Sequence, residues 1–112
     1  MNNNSMIPSR NLFMERADRI IIQHLHDNLF SIDKLCQTLA VSRMTLHRKI
    51  KTHSGKNTSE YIRSFRMNRA QQLLKGTDLS IKEVSFWVGF SDQGYFSKMF
   101  FKEFGVQPRK YR

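Results

Sequence analysis

Apolar residues recur along this chain at three- and four-residue spacing and nowhere in sustained alternation, the pattern of amphipathic helices rather than of half-buried strands. From about Leu12 to Asn28 a stripe of Phe13, Ala17, Ile20, Ile21 and Leu25, closing at Leu29, predicts a first helix. Ser31 caps a short helix to about Leu39, with Ile32, Leu35 and Leu39 facing inward and Asp33 near its positive end. After a turn at Ala40-Val41, Ser42 caps a third helix that points Leu46 and Ile50 inward. Arg43, Met44, His47, Arg48 and Lys51 lie on its other faces, and Gly55 ends it. Asn57 to Glu60 reads as a capping box that opens a helix from Thr58 to Lys75, about 27 Å long, stopped by Gly76. Ser80 to Glu83 is a second capping box, and Gly89-Phe90 ends the short helix it opens. Ser91 or Asp92 caps the next, which carries Tyr95, Phe96, Met99, Phe100 and Phe104 up to Gly105; Pro108 fits the start of a last turn holding Tyr111. The expected fold class is all-α, with about seven helices.

The chain also repeats itself. Ser31, Ile32, Leu35, Leu39, Val41 and Ser42 correspond to Ser80, Ile81, Val84, Val88, Phe90 and Ser91 at an offset of 49. Leu46, Arg48, Ile50 and Gly55 then correspond to Phe96, Lys98, Phe100 and Gly105 at an offset of 50. The second unit therefore has one extra residue just after its turn. Each unit has the layout of a helix-turn-helix, in which the second helix enters a DNA major groove. The expected organisation is two helix-turn-helix subdomains, 12–56 and 77–112, joined by a long linker helix over 57–76. Residues 1–11, polar and interrupted by Pro8, read as a tail or the end of a linker from something upstream. Heads at the two ends of such a rod match the roughly 34 Å repeat of duplex DNA, so one chain could reach successive major grooves. Fitting a rigid pair of heads to the duplex would cost on the order of 1 to 6 kcal/mol if the DNA must bend.

Charge points the same way. The 112 residues carry a formal charge of +10, a strong physical prior for a polyanionic partner. Residues 43–75 hold nine basic side chains against the single Glu60, so the positive charge belongs to a mid-chain region. A hydrophobic fraction of 39%, with nine Phe, three Tyr and one Trp, is enough for a packed core. The length excludes a sizeable catalytic domain beside a regulatory one. Apolar runs such as Ile20-Ile21-Ile22 are far shorter than the roughly 18 residues of a membrane span, and no secretory leader is read, so a cytoplasmic setting is expected.

Other chemistry finds little support in the residues. The lone Cys36 offers neither an internal disulfide nor a thiolate cluster. His24 and His26, two apart on a helix, would point to nearly opposite faces; His47 and His53 lack a third ligand. The carboxylates form no acid and base pair, and Gly89 and Gly94 lack the Lys-Ser/Thr of a phosphate-binding loop. Neither an enzyme, a metal nor a cofactor is expected. Arg66 and Arg69 lie among apolar residues of the spacer helix, which favours an internal structural role for one of them over DNA contact.

The stretch Val88-Gly89-Phe90-Ser91-Asp92-Gln93-Gly94-Tyr95-Phe96-Ser97-Lys98-Met99-Phe100-Phe101-Lys102-Glu103-Phe104-Gly105-Val106-Gln107-Pro108-Arg109-Lys110-Tyr111-Arg112 resembles the C-terminal signature of AraC/XylS-type bacterial transcription regulators. Tyr61 to Arg66, with Ala70 and Leu73-Leu74, is similar to that family's linker helix, so the resemblance covers about residues 12–112. It implies a seven-helix, two-headed domain that binds double-stranded DNA sequence-specifically and regulates transcription, activation being the expected sign. By resemblance, base contacts fall on Arg43, Met44, His47 and Arg48 in the first head and on Gln93, Gly94, Tyr95 and Lys98 in the second. Arg48 suits guanine, Gln93 adenine and Met44 a thymine methyl, while His47 donates or accepts. Lys49, Lys51, Arg63 and Lys102 are assigned to phosphates.

Further partners implied are RNA polymerase and an upstream sensor or receiver domain, the chain reading as a piece of a longer regulator such as a hybrid two-component protein. Some positions depart from the family. Phe101 stands where a basic residue is frequent and Gly94 where Pro or Ser is common, so the second head is expected to grip less tightly. Phe86 and Trp87 replace polar residues. Trp87 is expected to lid the core; the alternative is an exposed apolar contact site of Phe86, Trp87 and Phe101. The competing functional readings are a helical protein-interaction module and a nonspecific nucleoid-binding protein.

Overall fold

A computed structural model describes residues 11–112 of the chain. Those residues form seven helices: α1 Leu12–Gln23, α2 Ile32–Leu39, α3 Arg43–Ser54, α4 Thr58–Gly76, α5 Ile81–Trp87, α6 Gln93–Phe104 and α7 Pro108–Tyr111. The expected polar tail lies outside the described residues except for Asn11. That residue is no tail: its side chain accepts from the Met14 amide and caps α1.

Most boundaries follow from local chemistry. Ser31, Ser42, Asn57, Ser80 and Asp92 each accept a hydrogen bond from the first turn of the helix they precede. At Asn57/Glu60 and Ser80/Glu83 the glutamate also takes the cap residue's own amide, closing both capping boxes. Pro108 occupies the first position of α7, where its missing N–H leaves nothing unsatisfied.

The exception is the end of α1, which stops at Gln23 instead of running to Asn28. Past that point the backbone tightens into three-residue steps, Leu25 onto Ile22, Asp27 onto His24 and Phe30 onto Asp27. A tertiary contact holds it. The carbonyls of Leu25 and Asp27, presented by this turn, accept from the guanidinium of Arg66. As a result Leu29 turns outward, 75% exposed, and Phe30 takes the buried place. His24 and His26 thus lie in a turn and not on a helix. His24 Nδ1 bonds the Ile20 carbonyl and its ring stacks on Phe30 at 4.8 Å.

Two hydrophobic cores share one rod. Ala17, Ile20, Ile21, Phe30, Leu35, Cys36, Leu39, Leu46 and Ile50 pack with Ile62 of α4. Met67, Ala70 and Leu74 of α4 pack with Val84, Val88, Phe90, Phe96, Met99 and Phe100. Helix α4 packs on α1 and α3 with one end and on α5 and α7 with the other. Its nineteen residues span about 28 Å. The radius of gyration, 15.8 Å, exceeds the roughly 13 Å of a compact domain of this size, and the long axis measures 48 Å.

Tyr61 ties α4 to α1 by donating to Asp18 at 2.5 Å. Arg112 fastens the end of the chain to the end of α4 through the carbonyls of Leu74 and Thr77. Among the described residues no helix is long and apolar enough to cross a membrane.

Candidate nucleic-acid interface

The two second helices of the repeat, α3 and α6, are of equal length, twelve residues each. Their caps, Ser42 and Asp92, stand at the offset of 50 that relates the helices, whereas Ser31 and Ser80 stand at 49. The extra residue therefore lies in the turn before α6. Both turns contain a residue in the left-handed region at equivalent places: Ala40 at φ 59° and Gly89 at φ 86°. Both helices bury one stripe, Leu46 and Ile50 in α3 and Phe96, Met99 and Phe100 in α6. Most of their other residues are exposed.

In α3, Arg43, Met44, His47, Arg48 and Lys51 are exposed, and Met44 is 77% so, a large apolar side chain left standing in water. No acidic residue interrupts this helix. Arg43 is already engaged, its guanidinium paired with the Asp33 carboxylate across the turn from α2. His47 Nδ1 shares a 2.6 Å hydrogen bond with the hydroxyl of Thr58, the buried first residue of α4, which leaves Nε2 as the outward nitrogen. Lys51 donates to the Gly55 carbonyl at 3.0 Å. Lys49 stands apart from this stripe: it is half-buried, with its ammonium 5.1 Å from the ring centroid of Phe13.

In α6, Gln93, Gly94, Tyr95 and Lys98 are exposed. Gly94 is the second residue of the helix and not an interior one, and its amide donates to Asp92 at 2.8 Å. Its helix penalty is correspondingly small. Tyr95 leans on Phe90, ring centroids 5.9 Å apart, and borders a cleft with Arg63, Arg66 and Asp92. Repeat equivalence pairs Arg43 with Gln93, Met44 with Gly94 and Arg48 with Lys98.

Between the heads, Arg63 and Lys102 share a groove of about 250 Å³ with Lys56, Glu60, Met99 and Glu103. Lys56 stands beside the expected Arg63 and Lys102 in a grouping with no sequence signature, because it crosses α4, α6 and the loop before α4. Thr58 is a further addition to the site, a helix-opening residue whose reach to His47 is equally invisible in the sequence.

Arg66 is internal, as one of the two spacer arginines was expected to be, and Arg69 is exposed beside Gln72. Burial pulls the Arg66 pKa below the ordinary arginine value, with Asp27 opposing. Trp87 does not lid the core. It is 57% exposed and Phe86 49%, because Val84 and Val88 of the same turn already fill the second core. His26 and Glu83 flank the two rings. Phe101 is also exposed, on α6, and does not line that groove.

The family profile described as "Helix-turn-helix domain" matches residues 35–112. The chain belongs to the AraC/XylS family. It is a DNA-binding domain of that type. "HTH-type transcriptional activator RhaS" of Escherichia fergusonii is 37% identical over 82 residues, covering 73% of this chain and 30% of that protein. "Histidine kinase P4" of Formosa agariphila is 35% identical over 99 residues, covering 88% of this chain and 7% of the kinase. The chain thus spans less than a third of the length of either relative.

Two solved structures are similar throughout. The C-terminal domain of AraT, a response regulator from Geobacillus stearothermophilus, superposes with TM-score 0.85 and 33% identity over 91% of this chain and 84% of that one. The DNA-binding domain of AdpA, a global transcriptional factor in complex with a target DNA, superposes with TM-score 0.82 and 25% identity over 91% and 90%.

Proposed function

We propose that this AraC/XylS domain reads double-stranded DNA with α3 and α6 in successive major grooves on one face of the duplex, and that it activates transcription. The observation that carries this reading is the pair of equal, outward-facing helices at a constant sequence offset, each seated on its own core and both cores strung on α4. The division into heads over 12–56 and 77–112 with a rod over 57–76 is supported by those two cores. Arg48, His47 and Met44 read bases in the first groove with Arg43 beside them; Gln93, Tyr95 and Lys98 read the second, where Gly94 lets the backbone approach. Lys51, Arg63 and Lys102 hold phosphates, Lys56 joins them, and Lys49 contributes charge from the flank.

Activation is supported by the RhaS relative, whose name states that sign. RNA polymerase is then the natural second partner. The kinase relative and the response-regulator domain support a role as the output unit of a longer sensor or receiver protein. The exposed Trp87 and Phe86 favour one addition from the protein-interaction reading, an apolar contact face on α5, outside α3 and α6.

The experiment is selection of sites from a random duplex pool, followed by footprinting on the winner. Protection of two major grooves about one helical turn apart is the expected result. Protection of one groove, or equal weak binding to every duplex with no enrichment, would sink the reading. A salt titration then separates specific binding from the nucleoid-type alternative.

A further inference from the structure

Arg66 sits where α4 passes from one core to the other: Ile62 belongs to the first and Met67 to the second. Its guanidinium Nη1 donates to the Leu25 carbonyl at 2.6 Å and to the Val88 carbonyl at 2.8 Å, and Nη2 donates to the Asp27 carbonyl at 3.3 Å. Leu25 and Asp27 belong to the loop that joins α1 to α2, under the first head. Val88 belongs to the turn that aims α6, in the second. One planar group therefore grips both heads and the rod at once.

The partners are backbone atoms, so they report the position of the chain and not of a mobile side chain. Arg66 is only 8% exposed. A buried cation is tolerated only where its donors are satisfied, so any hinge motion that separates these carbonyls strands the charge. Lysine would reproduce only part of the grip: its ammonium can stand in for Nη1 between the Leu25 and Val88 carbonyls but offers no second nitrogen for Asp27.

The turn is shaped for this contact. A Cβ on Gly89 would fall 1.5 Å from Arg66 Nη1 and 2.4 Å from the Leu25 carbonyl oxygen. The equivalent place in the first head, Ala40, carries a side chain and remains exposed.

We infer that Arg66, seated against Gly89, is the specificity-determining residue that sets the distance and angle between α3 and α6, and so decides which spacing of half-sites the domain accepts. The inference rests on the two-groove reading for its consequence on DNA. The latch itself is a property of the free protein. Inserting one base pair between half-sites moves the second by about 3.4 Å and rotates it by roughly 35°. A rigid pair of heads loses affinity steeply on that change, about tenfold, whereas heads released from each other follow the displaced groove.

The test compares the wild-type domain with Arg66→Met and Arg66→Lys on the selected operator, on the same operator with one base pair inserted or removed, and on a duplex with a single half-site. Wild type is expected to lose about tenfold on either spacing change, and Arg66→Met threefold or less. Single half-site affinity is expected to stay within about twofold, since α3 and α6 are intact. Arg66→Lys is expected to fall between the other two. If both variants keep the tenfold preference, the latch is overturned and the two-groove reading survives. If wild type ignores spacing yet loses affinity on the single half-site, the heads move independently and the latch alone is overturned; if it binds the single half-site as tightly as the operator, the two-groove reading falls and takes the specificity claim with it.

A second measurement needs no DNA. Residual dipolar couplings of the wild type should fit one alignment tensor across both heads, and those of Arg66→Met should require two. A common tensor in the variant overturns the latch. Should Arg66→Met fail to fold, as circular dichroism would report, Arg66→Lys decides by the same two readouts.

Discussion

The ring of His47 is moored to the hydroxyl of Thr58 at 2.6 Å, so a side chain proposed to read DNA from α3 is held by the first residue of α4. The mooring orients one outward nitrogen and removes rotamer freedom before any base is met, which lowers the ordering cost of binding. Replacing Thr58 by Val keeps the buried shape and deletes only the hydroxyl. The expected result is a loss of about 0.5 to 1.5 kcal/mol on the selected operator, with affinity for random duplex unchanged. Anisotropy titrations at fixed salt measure both; an equal loss on the two duplexes would show that the bond supports the fold and not the reading.

Arg48 and Lys51 lie one helical turn apart on the same exposed side of α3, yet they should fail differently. Arg48→Ala should remove about 1 to 3 kcal/mol on the operator and relax the choice at one base position. Lys51→Ala should weaken every duplex alike and reduce the salt-dependence slope by about one. Repeating the site selection with each variant distinguishes them. A base-specific loss from Lys51→Ala, or an unchanged preference with Arg48→Ala, would reverse the assignments.

Helix by helix, the architecture was legible because its signals are local. Asn57 with Glu60 and Ser80 with Glu83 announce their helices within four residues, and the spacing of Leu46 and Ile50 fixes which side of α3 is left for a partner. The offset of 49 becoming 50 places the extra turn residue from the sequence alone. What escaped is what depends on distant groups. The turn that follows α1 is held by Arg66, some forty residues on, which binds two of its carbonyls. Trp87 was expected to cover the core because it is large and apolar, but Val84 and Val88 complete that surface and turn it out. Lys49 looked like its neighbours on α3 until Phe13, on α1, was found beneath it. The grouping of Lys56, Arg63 and Lys102 likewise exists only once three segments are folded together.

The bond from Tyr61 to Asp18 gives the fold a dependence on alkaline pH. Burial first, and then the hydrogen bond and charge of Asp18, push the Tyr61 phenol above its ordinary value of 10.0. In the unfolded chain the phenol ionises near pH 10, while in the native state it keeps its proton to higher pH. The native form therefore binds more protons in that window, and stability falls as pH rises above about 10, being fully present below it. Urea unfolding of wild type and Tyr61→Phe between pH 8 and about 11.5 checks the sign. The difference between them should be constant up to about pH 9.5 and shrink above it; a difference that grows with pH contradicts the argument.

The two turns make opposite demands on one residue. Ala40 holds φ 59°, a conformation that disfavours any side chain by about 1 to 2 kcal/mol. Ala40→Gly removes that strain but gives the unfolded chain back about 0.4 to 1 kcal/mol of entropy, so a net gain of about 0.5 to 1 kcal/mol is expected. At the equivalent Gly89 the reverse change adds the same strain and drives a methyl into the guanidinium of Arg66, which then loses carbonyls it cannot replace. Gly89→Ala should therefore destabilise by more than about 3 kcal/mol. Urea midpoints for the two variants should move in opposite directions from wild type. Shifts of equal size and opposite sign would mean that backbone conformation alone governs these positions and that the contact between Gly89 and Arg66 contributes nothing to stability.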